Sequence, residues 1–92
     1  MLIETLVEFI GTFVFLSIVL IASKTFAPAI VIGLGLIGVI LFGGNISGGH
    51  FNPAISSMFY MKGDLDCNTL IMYVLAQLLG GYTALKFYQI HD

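Results

Sequence analysis

Charge is scarce in this sequence: three basic and five acidic side chains among 92 residues, against a hydrophobic share of 59%. A soluble domain of this length could not hide that much apolar surface. The balance excludes a small globular protein and points to an integral, multi-pass membrane chain whose first partner is the lipid bilayer. The net charge of −2 comes with no basic patch to neutralise phosphates, which excludes nucleic acid as a partner. Cysteine is nearly absent; the lone Cys67 can form no intrachain disulfide and reads as a small residue at a helix entrance. His50 and His91 are far apart and lack cysteine partners at ligand spacing, so neither a metal site nor a cofactor is expected. Ser47, Ser56, Ser57 and His50 include no base-orienter constellation, so no catalytic residue and no enzyme activity are expected. Ser56 and Ser57 read instead as residues that hydrogen-bond backbone or line a wall. The amino terminus carries Glu4 and Glu8 where a cleaved signal has positive charge, and it is expected to stay in the mature chain.

What is abundant is uncharged apolar sequence. Residues 2–23 are long enough to span a bilayer, with Lys24 marking the exit. Glu8 lies inside that span, about 10 Å from its start, where a carboxylate is costly unless the protein hydrogen-bonds it, so it is expected to face inward. Residues 26–42 form a second uncharged run with Pro28 near its start, where a missing N–H does least harm. Its Gly33-Leu34-Gly35-Leu36-Ile37-Gly38 has the spacing of a dinucleotide fingerprint, but neither the acidic partner nor the strand-then-helix context is present. Glycines there read better as points where a neighbouring backbone approaches. Asn45-Ile46-Ser47 matches a glycosylation sequon too close to a span to be modified. Residues 69–88 form the third span, with Ala76, Gly80 and Ala84 as a close-packing stripe and Gln77 as the strongly polar side chain of its interior.

Between the second and third spans, residues 43–61 behave differently. Gly43 to Phe51 is too polar and glycine-rich to be expected to continue a helix. Non-helical backbone at membrane depth is tolerated only where it is buried in protein or lines a cavity, so a re-entrant turn is implied. Asn52-Pro53 then starts a helix: the Asn side chain can cap free N–H groups, and Pro53 needs no partner at the first position. From Pro53 to Met61 that helix is about 13 Å long, close to half of a hydrocarbon core about 30 Å thick. The surface turn that follows offers Asp66 or Asn68 as the next cap. The expected fold class is an all-α membrane protein with three transmembrane helices and one re-entrant half-helix.

Three separated segments, Glu8-Phe9-Ile10-Gly11-Thr12-Phe13, Ser47-Gly48-Gly49-His50-Phe51-Asn52-Pro53-Ala54 and Ala76-Gln77-Leu78-Leu79-Gly80-Gly81, occur in an order and spacing that resemble the aquaporin and glycerol-facilitator channels. The resemblance covers nearly the whole chain, 1–92, but only a single half-repeat of the family's usual two. It implies a passive channel for water or small neutral solutes such as glycerol. Asn52 would offer its amide to the solute, and Pro53 and Ala54 would touch an opposing half-helix. The carbonyls of Gly48, Gly49 and His50 would form a ladder of acceptors, and Glu8 and Gln77 would hold the turn by hydrogen-bonding its backbone. His50 is weighted towards bracing the loop over touching solute. Ile32, Ile40, Gly49 and Ile55 would fall at or near the constriction. Ile55 stands where the usual second repeat has an Arg, which leaves the constriction apolar and one barrier to protons missing.

A pore would need two such turns face to face, hence an antiparallel homodimer or a higher oligomer built from it. The placement of Lys62 on one side and Lys24 and Lys86 on the other fixes orientation weakly, which permits dual topology. Two alternatives stand beside the channel. One is a non-conducting half-length fragment or partner of a full-length channel. The other is a small dual-topology, ion-coupled transporter that uses Glu8 as its intramembrane carboxylate.

Overall fold

A computed structural model describes residues 1–91, and it is built of helices: α1 (Leu2–Ala22), α2 (Pro28–Ser47), α3 (Pro53–Lys62) and α4 (Cys67–His91). Three of them, α1, α2 and α4, are long and apolar enough to cross a membrane. At ten residues, α3 is about 15 Å long, half of a hydrocarbon core. α1 is the central element: it packs against α2 on one side and α4 on the other, while α3 leans on α4. The large aliphatic side chains point mostly outward, with Leu2, Leu34, Leu41 and Leu75 all well exposed. That is the expected inversion for a chain whose solvent is hydrocarbon, where packing depends on small residues rather than on an apolar interior.

The stripe Ala76, Gly80 and Ala84 is buried along the α1–α4 contact. A Cβ on Gly80 would lie 2.8 Å from the Phe9 carbonyl oxygen, so the two backbones approach closely here. On the opposite side of α1, Val7 forms a small cluster with Val39 of α2 and Phe51 of the loop.

Several boundaries differ from the expected ones. α2 begins at Pro28 rather than residue 26, because the residue before a proline is disfavoured in helical conformation; Ala27 sits at φ −139°. It ends at Ser47 rather than residue 42. The glycines and Asn45 that suggested a break are accommodated within the helix, and Gly43 serves a close contact, its Cβ position lying 2.6 Å from Val7 Cγ1. The helix stops only at Gly48, left-handed at φ 95°, whose N–H donates to the Gly44 carbonyl. α3 ends in a Schellman motif, with Gly63 at φ 98° and the Gly63 and Asp64 N–H groups donating to the Tyr60 and Phe59 carbonyls.

α4 starts at Cys67 rather than residue 69, because Asp66 supplies the cap: the Thr69 N–H donates to Asp66 Oδ1 at 2.7 Å. That hydrogen bond holds the Asp66 carboxyl below its ordinary range. The contribution of the cap is therefore complete above the usual carboxylate value of about 4 and is lost as pH falls through the lower folded value. The protection factor of the Thr69 amide is expected to fall on that acidification while those of amides in the middle of α4 hold.

Candidate functional site

The segment between α2 and α3 is a tight loop with an unusual backbone. Gly48, Gly49 and Phe51 all have positive φ, at 95°, 64° and 52°. Glycine adopts such angles freely, whereas a left-handed Phe51 costs about 1–2 kcal/mol and needs support from its surroundings.

The support comes from Glu8. Its position two turns into α1 brings the carboxylate, fully buried, under the loop. Four donors converge on its two oxygens. Oε2 accepts from Ser47 Oγ at 2.7 Å and from the His50 N–H at 3.0 Å. Oε1 accepts from the Phe51 N–H at 2.7 Å and from Gln77 Nε2 at 2.9 Å. Two consecutive loop amides thus bond to one carboxylate, which fixes the peptide planes on either side of His50 and offsets the cost at Phe51.

A second layer of polar groups is buried behind the first. A carboxylate only accepts, so the Gln77 atom beside Glu8 is its nitrogen, and the same nitrogen donates to Ser56 Oγ at 2.9 Å. Ser56 Oγ also hydrogen-bonds His50 Nδ1 at 2.8 Å, so the serine joins Gln77 to the imidazole. The His50 ring stacks on Phe59 with centroids 4.9 Å apart and meets Tyr73 edge-on at 5.3 Å. Tyr73 OH in turn donates to the Ser47 carbonyl at 2.7 Å, closing the network on the end of α2.

Phe51 acts as a peg. A Cβ on Gly11 would lie 2.1 Å from the Phe51 ring, and one on Gly43 3.0 Å from it, so both helices reserve glycine for this side chain. Glu8, Gly11 and Thr12 lie on one face of α1 by their spacing, which places carboxylate and peg hole one turn apart under the same loop.

The loop delivers Asn52, exposed at φ −162°, as the cap of α3, with its Oδ1 accepting from the Ala54 N–H at 2.8 Å. Pro53 is half-buried and Ala54 exposed. Of the expected ladder, Gly48 is exposed, Gly49 half-buried and His50 buried. Ile32 and Ile55 are half-buried and Ile40 is exposed. Ile32 and Ile40 are eight residues apart on α2, about 12 Å of rise, so they occupy different levels of the membrane.

Gln77 holds the turn at one remove, since its hydrogen bonds go to the side chains of Glu8 and Ser56 rather than to loop backbone. Ser56, expected to meet backbone or a wall, is instead fully buried between His50 and Gln77. Ser47, Tyr73, Phe51, Gly11 and Gly43 were not singled out individually from the sequence. Their signal was positional: Ser47 lies one turn beyond Gly43, Tyr73 one turn before Gln77, and Gly11 one turn beyond Glu8.

Beside Asn52 and Pro53 a groove of about 450 Å³ opens between α1 and α4, lined in part by Thr12, Leu16, Gln77 and Leu78. The arrangement holds the N-terminus of α3 and the exposed Asn52 amide in a fixed position beside this groove.

Comparison with known proteins agrees with this geometry. The family described as Major intrinsic protein matches residues 1–91. The chain is 38% identical over 85 residues to glycerol uptake facilitator protein-like 6 of Lactiplantibacillus plantarum, covering 86% of this chain and 39% of that protein. It is 50% identical over 54 residues to aquaporin-8 of Rattus norvegicus, covering 59% of this chain and 20% of that one. It is 36% identical over 83 residues to the lens fiber major intrinsic protein of Gallus gallus, covering 82% and 32%. The chain thus spans well under half the length of these curated relatives. No solved structure matches it. On the match across residues 1–91, and with three membrane-spanning helices around a pinned Asn-Pro-Ala turn, this chain belongs to the major intrinsic protein family.

Proposed function

We propose that the chain forms half of a passive channel for water or small neutral solutes such as glycerol, completed by a second copy inserted in the opposite orientation. The observation that carries this reading is the state of Asn52. Its Oδ1 is committed to the first turn of its own helix, which leaves the two hydrogens of its exposed amide as donors for a solute oxygen. The N-terminus of α3 carries about half a positive charge, which opposes cations and leaves neutral molecules alone. Pro53 and Ala54 would meet the opposing half-helix, and the loop carbonyls of Gly48, Gly49 and His50 would serve as acceptors along the wall. Ile32, Ile40, Gly49 and Ile55 would make its narrow parts apolar.

The ion-coupled reading has less support. A carrier must load and unload its carboxylate from water, whereas Glu8 is fully buried with four donors on it. The competing reading with an observation behind it is the fragment: the chain spans 39% of the glycerol uptake facilitator relative, so the second half could equally come from a longer polypeptide.

Osmotic shrinkage of proteoliposomes that contain only this chain separates the two. Water permeability is expected to exceed that of empty vesicles and to fall back to their level in Asn52→Asp. Aspartate can still cap α3, so this variant keeps the helix start while replacing the solute's donors by a negative charge. Wild-type permeability equal to that of empty vesicles would overturn the pore of two copies.

A further inference from the structure

α1 and α4 run parallel: they meet at Glu8 and Gln77, then at Phe13 and Phe87, then at Lys24 and Tyr88. Both therefore end at the same membrane face, and between their last turns lies a second groove, of about 250 Å³. Its lining runs from Ser17 to Lys24 along α1 and just beyond it, and from Ala84 to His91 along α4, about 10 Å of rise on each. Ile21 and Phe87 make its walls apolar, whereas Lys24, Tyr88 and His91 make its mouth polar and basic.

Two helix C-termini side by side ordinarily present bare carbonyls and a partial negative charge. Here several of those carbonyls are covered. The Ile21 carbonyl accepts from the Lys24 N–H, and the Ala22 carbonyl from the Thr25 N–H and hydroxyl. The Phe87 carbonyl meets His91 Nδ1 at 2.9 Å; a carbonyl only accepts, so Nδ1 carries the hydrogen, and a second proton on Nε2 makes the ring a cation. The Lys24 ammonium stands 5.0 Å over the Tyr88 ring, which holds it at the mouth. By sequence, residues 22–28 and 84–92 carry Lys24, Lys86 and His91 against the single acid Asp92. The opposite face has Glu4, Asp64 and Asp66 against Lys62 and the terminal amine.

A groove that is apolar along its length and basic at its mouth fits one class of occupant in a membrane. Water fits poorly, since the volume is many times the share of one molecule (about 30 Å³) and the walls offer it little to bond. A free phosphate would meet the mouth and leave the walls uncovered. We propose that the groove between the ends of α1 and α4 binds a phospholipid with an anionic headgroup. Its phosphate lies at Lys24 and His91, and the upper part of an acyl chain runs along Ile21, Ala84 and Phe87. The site needs only that α1 and α4 cross the membrane, so it stands or falls apart from the channel reading.

Native mass spectrometry of the full chain in detergent tests it, with phosphatidylglycerol and phosphatidylcholine of the same acyl chains as probes. One lysine beside an anionic headgroup is worth about fivefold in affinity. Phosphatidylglycerol is therefore expected to bind about fivefold tighter or more, and Lys24→Gln is expected to lose about that factor. Lys86→Gln takes the same charge from the same face but from outside the groove, where Lys86 stands 5.4 Å over the Tyr82 ring. It is expected to keep the preference to within about twofold. Both lysines are exposed, so the spans stay packed in either variant, which unchanged helical circular dichroism checks. Equal losses in the two variants would show a diffuse surface charge and overturn the site. So would equal binding of the two lipids by the unaltered chain. Inorganic phosphate that displaces phosphatidylglycerol at equal concentration would overturn the lipid as occupant, since the apolar walls would then contribute nothing.

Discussion

Glu8→Ala releases the loop from α1 while the three spans remain helical. The substitution leaves the His50 and Phe51 N–H groups, bonded to Glu8 at 3.0 and 2.7 Å, without acceptors in a buried site. Two stranded backbone donors cost about 2–6 kcal/mol. Ser47 and Gln77 lose less, because each has a second contact to fall back on, the Gly43 carbonyl and Ser56 respectively. The left-handed Phe51 then has nothing to offset its conformational cost of about 1–2 kcal/mol. The loop is therefore expected to leave its conformation before the membrane helices melt. Amide exchange at His50 and Phe51 should accelerate by orders of magnitude, and permeability should vanish with it, while far-ultraviolet circular dichroism changes little. Glu8→Gln is expected to fall between the two proteins, since its one carbonyl oxygen still accepts while its amide nitrogen faces donors. Unchanged protection of the two amides in Glu8→Ala would remove the carboxylate from the centre of the site.

The parts of this arrangement that were legible in the sequence share a physical cause: each is an exception to the rules of the bilayer. A carboxylate at Glu8 and an amide at Gln77 stand out because hydrocarbon penalises both, and Asn52-Pro53 stands out because a helix start has no place at half-membrane depth otherwise. The spans were visible for the complementary reason, as long runs in which apolar residues far outnumber polar ones. Glycine was harder to read because it has two uses. At Gly48 and Gly49 it supplies positive φ and ends a helix; at Gly43 it sits inside the helix to admit Val7 and Phe51. Only the position of a neighbour from another element separates the two uses, and so the sequence pattern breaks at residue 42 while α2 runs on to Ser47. Ser56 was obscure for the same reason, since a serine near a helix start is ordinary until His50 and Gln77 are found on either side of it.

The same ambiguity makes glycine a sharp probe of packing. An exposed glycine within a helix should gain up to about 1 kcal/mol on replacement by alanine, from the lower backbone entropy of the unfolded chain. Gly33 is half-buried but has nothing within 4 Å of its Cβ position, so the same gain is open to it and Gly33→Ala is expected to be neutral or mildly stabilising. Gly80 lies in a helix of the same kind, but its Cβ would stand 2.8 Å from the Phe9 carbonyl oxygen and 3.1 Å from the Phe13 nitrogen. Those are backbone atoms of α1, so no rotamer can relieve the clash and the two helices must separate. Overpacking of that kind costs about 1–3 kcal/mol, occasionally more, and outweighs the entropic gain. Separation of α1 from α4 would also pull Glu8 away from Gln77, whose hydrogen bond at 2.9 Å crosses the same interface one turn away. Gly80→Ala is therefore expected to lower the midpoint of detergent-induced unfolding and to loosen the loop together with it, while Gly33→Ala leaves the midpoint level or raises it. Equal midpoints for the two variants would mean that α1 and α4 do not meet backbone to backbone at Gly80.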